Sequence, residues 1–141
     1  MSDEVVGFAN RIGAIDLKHE LAHSKFHGLF KRPNYFHLDE DNFLIIKTSQ
    51  SKIKPLWGLG KQSFDFFNAL TEKSGNYFFV ALESNESGWV LSKKEILTQI
   101  SDGSLNYADN EAQYNIISDN LKHNHRFTSI EGFLSKIGSS G

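Results

Sequence analysis

The stretch Asn42–Ser63, NFLIIKTSQSKIKPLWGLGKQS, decides how this chain is read. Its first half is apolar from Phe43 to Ile46 and closes on Lys47, the pattern of a strand covered on both faces inside a sheet. Pro55 and the pair Gly58/Gly60 punctuate the second half as a loop, and a helix is expected to open at Lys61. Four lysines (Lys47, Lys52, Lys54, Lys61) fall here with no acid, in a chain whose net charge is -2. Such local excess of one sign marks a surface that meets an anion.

On the C-terminal side, Phe64, Phe67 and Leu70 recur at helical spacing, predicting a helix from Lys61 to about Lys73. Tyr77–Leu82 (YFFVAL) reads as a second buried strand, and Trp89–Leu91 completes a hairpin with it. Ser92-Lys93-Lys94-Glu95 has the form of a capping box opening a helix that carries Ile96, Leu97 and Ile100. Thr128-Ser129-Ile130-Glu131 repeats that form before Phe133, Leu134 and Ile137. Residues 104–127 are mostly polar, with one short strand expected around Tyr114–Ile117.

On the N-terminal side, residues 2–30 follow a helical apolar stripe with a break at Gly13, and Tyr35–Leu38 is a short extended segment. The expectation is one α+β domain over residues 1–141, with a central mixed sheet of three to five strands flanked by helices.

Composition narrows the function classes. The 141 residues include 12 Phe and are 39% hydrophobic, enough for one packed core. No apolar run is long enough to span a bilayer, and no cysteine is present for a disulfide or a thiolate metal site. A cytoplasmic setting is expected, with a nucleic acid or another protein as partner and no membrane. Asp102, Asp109, Glu111 and Asp119 fall in a stretch without Lys or Arg, a candidate surface for a basic protein partner.

The basic stretch suggests phosphate contact. Lys52, Lys54, Lys61 and the hydroxyls of Thr48 and Ser49 could grip a nucleic-acid backbone. Gly58 and Gly60 would bring free backbone N–H groups to the start of a helix, and Trp57 could stack on a base. The loop is not a Walker A loop, because the spacing is wrong and Gln62 follows the lysine. A separate motif, His19-Glu20-Leu21-Ala22-His23, matches H-E-x-x-H. On a helix His19 and His23 would share a face and could ligate zinc, with Glu20 as general base. His37 or Glu111 would be the third ligand of such a zinc hydrolase.

The order of helix, strand ending in Ile46-Lys47-Thr48-Ser49, loop with Pro55-Leu56-Trp57-Gly58, helix, strand and hairpin resembles small endonuclease-like proteins of the PD-(D/E)XK class. The resemblance covers roughly residues 40–100. It implies that Lys47 is the motif lysine, beside a divalent metal such as magnesium held by Glu20 and by Asp41 in the turn 39–41. Ile45 stands where the family has an acid or Gln, so the resemblance implies an incomplete or rebuilt metal site, and binding before cleavage.

Overall fold

The computed structural model describes residues 3–17, 35–39 and 41–140. They form an α+β fold: α1 (Asp3–Ile12), β1 (Ile15–Asp16), β2 (Tyr35–His37), β3 (Asn42–Thr48), β4 (Leu56–Gly60), α2 (Lys61–Leu70), β5 (Asn76–Leu82), β6 (Gly88–Ser92), α3 (Lys93–Ser101), β7 (Asn106–Ala108), β8 (Gln113–Ile117), β9 (Arg126–Phe127) and α4 (Ile130–Ser140). Two short 3-10 turns, Ser118–Asn120 and His123–His125, link β8 to β9.

The main sheet runs β1-β2-β3-β5-β6-β9. At six strands it exceeds the expected three to five. The parallel pair β3/β5 stands at its centre, and the other neighbours are antiparallel. Leu44, Ile45 and Ile46 are fully buried, as are Phe79, Val80 and Ala81. This is why both strands read as unbroken apolar runs, since each has protein on both faces.

One face of the sheet (Leu44, Ile46, Phe78, Val80, Val90) packs against α1 and α4 through Val5, Phe8, Phe133 and Ile137. Phe8 meets Phe133 edge-on at 4.9 Å, and Phe127 lies 5.5 Å from Phe8 and 5.1 Å from Phe133. The opposite face (Ile45, Tyr77, Phe79, Ala81, Leu91) is covered by Phe64 and Phe67 of α2, Ile96 of α3, and a second sheet.

That second sheet, β4-β8-β7, is antiparallel throughout and corrects the reading of residues 51–61 as one loop. Pro55 ends a short turn, after which Leu56–Gly60 form a strand with Trp57, Gly58 and Leu59 buried. A strand carrying two glycines has little local tendency of its own. Pairing with β8 and burial of Trp57 and Leu59 supply it.

The helical expectation for residues 2–30 holds over α1, which stops before Gly13, whose φ is 72°, and its part from residue 18 to 30 lies outside the described residues. Ile15–Asp16 then pair with β2 as a short strand. The Ser92 capping box is present with both arms: Glu95 N–H donates to the Ser92 hydroxyl at 3.2 Å, and Ser92 N–H to the Glu95 carboxylate at 2.9 Å. The second box shifts by one residue. Ser129 caps α4 by accepting from Gly132 N–H at 3.0 Å, so the N3 position is glycine and no glutamate arm exists.

Candidate anion-binding cleft

The parallel pair ends at Thr48 and Leu82, which lie opposite each other in register. Crevices outside the carboxyl ends of parallel strands are habitual ligand sites in open sheets. Here a cavity of about 420 Å³ opens at that edge, lined by Thr48, Ser49, Ser51, Lys52, Trp57, Glu83, Trp89 and Glu4 among others.

Its outer lip is the turn 49–55. Ser49 Oγ accepts from Ser51 N–H at 3.2 Å and from Leu56 N–H at 2.9 Å, and donates to the Ser51 carbonyl. Gln50 N–H donates to the Leu56 carbonyl at 2.7 Å, and Lys54 N–H to the Ser51 hydroxyl at 3.3 Å. The turn is therefore cross-braced by one hydroxyl. Lys52, Ile53 and Lys54 project from it, all exposed, and neither lysine has a carboxylate partner among the described residues.

Register adds a second component. Lys47, Ala81, Trp89 and Arg126 are successive cross-strand partners on β3, β5, β6 and β9. Directly opposed residues share a face, so the row carries a cation at each end with an indole between them. The Arg126 guanidinium lies 4.4 Å from the centre of the Trp89 ring and donates from Nη2 to Glu83 at 2.6 Å. Its Nη1 is buried with no hydrogen-bond partner among the described residues. Arg126 beside Glu83 holds that carboxyl below its ordinary range. Lys47 Nζ lies 5.6 Å from the centre of the Tyr35 ring.

Lys47, Thr48, Ser49 and Lys52 thus come together at this edge, with Lys54 on the same turn. The others do not join them as expected. Trp57 is 3% exposed, donates its indole N–H to the Leu82 carbonyl at 3.2 Å, and meets Trp89 edge-on at 5.7 Å. It is a cleft wall whose ring cannot stack on a base, a correction to that expectation.

Gly58 is buried in β4 under the Gln113 side chain, where an added Cβ would sit 2.6 Å from Gln113 Oε1. It lies in a strand, not in an open cradle, and Gly60 ends the same strand. The first helical N–H of α2, that of Lys61, donates to the Ala112 carbonyl at 2.9 Å. The Lys61 ammonium pairs with Asp65 at 2.7 Å. Residues 58–61 therefore offer less to an anion than their sequence suggests.

The expected nuclease trio is not brought together. Asp41 precedes β3 and Lys47 lies near its far end, about 20 Å apart at the rise of an extended strand. In the 39–41 turn, Asp39 accepts from Asp41 N–H at 2.9 Å and from Asn42 N–H at 3.0 Å. The Asn42 side chain and these amides hold Asp39 below its ordinary carboxyl range. These groups brace a turn at the wrong end of the sheet. Glu20, His19 and His23 lie outside the described residues. Among the described residues no cluster of three His, Asp or Glu could hold a metal.

Arg126, Trp89 and Glu83 do not stand out in the sequence. No local motif marks them, and Arg126 sits in the polar stretch that resists assignment. No family model matches the chain, and no curated protein or solved structure matches it.

Proposed function

We propose that this chain is a nucleic-acid-associated protein that contacts the phosphate backbone at the carboxyl edge of β3 and β5, and that it does not cleave through an Asp41–Lys47 pair. The observation that carries this reading is the cross-braced turn holding Lys52 and Lys54, both exposed and without acid partners among the described residues, at the lip of the cleft. Lys47 extends the positive charge along the sheet edge, and Thr48 supplies a hydroxyl. Glu83 is neutralised by Arg126. The endonuclease resemblance supports a nucleic-acid partner, while the separation of Asp41 from Lys47 argues against that chemistry.

The test is fluorescence anisotropy of a labelled duplex against salt. Lys52→Ala with Lys54→Ala should flatten the log–log salt slope by about 1.8, at about 0.9 for each phosphate no longer neutralised. Lys61→Ala, whose ammonium is already held by Asp65, should leave the slope unchanged. A double variant that binds like the parent would sink the proposal.

A second reading is favoured by one feature. Asp109 and Glu111 are exposed in the β7–β8 turn without an ion-pair partner among the described residues. That turn suits a basic protein partner, and a pull-down abolished by Asp109→Asn with Glu111→Gln would select it.

A further inference from the structure

Ile53 stands at the apex of the 49–55 turn with 94% of its surface exposed, while the next most exposed large apolar residue among those described, Ile15, reaches 52%. A single exposed aliphatic is ordinary. This one is distinguished by its setting, because its two chain neighbours are Lys52 and Lys54, without a carboxylate partner among the described residues, and its turn is fixed by the Ser49 hydroxyl. A stiff β-branched side chain is thus presented between two cations on a preorganised support.

We infer that Ile53 is a wedge that enters the minor groove of duplex DNA and unstacks one base step, with Lys52 and Lys54 on the flanking phosphates. This rests on the reading of the surface as a phosphate-contacting one, and adds that the ligand is a duplex and that it is bent. Apolar wedges inserted from the minor groove open a step and kink the duplex toward the major groove. Pyrimidine–purine steps such as TA unstack most readily, so sites with a central TA step bind best. Of the two indoles in the cleft wall, Trp57 is buried and Trp89 has the Arg126 guanidinium 4.4 Å from its ring centre. Recognition by stacking on splayed single-stranded bases is therefore disfavoured against a wedge in a stacked duplex.

The experiment measures end-to-end energy transfer on a duplex of about 25 base pairs, a length suited to bend measurement, alongside anisotropy. The full chain should shorten the end-to-end distance of a TA-centred duplex. Ile53→Ala should abolish the bend and weaken duplex binding about tenfold, from the apolar surface removed, while keeping the parent's salt slope. The lysine double variant should flatten that slope.

An Ile53→Ala protein that bends DNA like the parent, or a parent that binds DNA without bending it, overturns the wedge and leaves the phosphate reading standing. A lysine double variant with unchanged salt slope overturns the phosphate reading itself. Ile53-dependent binding to vesicles of phosphatidylserine and phosphatidylcholine, with none to duplex, overturns both and assigns the apex to an anionic lipid surface.

Discussion

Ala112 is the one non-glycine residue with positive φ among those described, at 51°, and its carbonyl accepts the Lys61 N–H that starts α2. An L-residue in this region is strained by roughly 1–2 kcal/mol, most of which glycine escapes. Ala112→Gly is expected to raise stability by about 1 kcal/mol, read as a higher midpoint in urea. Glu83 gives a pH dependence. Its folded carboxyl is held low by Arg126, so its contribution is full above the unfolded value and fades as pH falls through the folded one. The difference in melting temperature between the parent and Glu83→Gln should be flat above about pH 5 and shrink below about pH 4. It will be small, because the pair is half exposed. The break at Gly13 is visible in the sequence because glycine announces it. Ala112 announces nothing, since its geometry is imposed by the hairpin around it.

Elements whose cause lies within a few residues are legible in the sequence. The Ser92–Glu95 box needs only four consecutive residues, and removing its cap with Ser92→Ala should cost about 1 kcal/mol in chemical denaturation. The turn at Ser49 is similarly local. Ser49→Ala leaves two N–H groups without their acceptor, and should cost about 1–2 kcal/mol while loosening the Lys52–Lys54 lip. Strand β4 is not legible. Pro55, Gly58 and Gly60 are loop signals, and the strand exists only because β8, far along the chain, pairs with it. The same loop signals make Trp57 and Gly58 look like exposed contacts when both are interior. The second box is displaced because Ser129, a better cap by type than Thr128, is the residue whose hydroxyl accepts the Gly132 N–H.

In the assembled molecule, the buried centre β3/β5 follows from hydrophobicity alone, and with it the α+β class. The second sheet follows only at β8, where the strand expected around Tyr114–Ile117 is found, while β7 is three residues long and largely exposed. The candidate cleft is half legible. Its lysines cluster in sequence, but Arg126 reaches Lys47's row only through three consecutive strand pairings, and register is not written locally. The layering also orders local stability. Amides of β3 and β5, covered on both faces, should exchange last with deuterium, and those of the exposed edge strand β7 first. Comparable exchange in β5 and β7 would contradict this architecture.

The chain has two tryptophans, and both stand in the same cleft wall, 5.7 Å apart. The protein's ultraviolet emission is therefore a report from that single place. Indole fluorescence and the coupled near-ultraviolet dichroism of the pair will register an occupant of the cleft without any added label. They will stay silent to a partner seated at the Asp109–Glu111 turn.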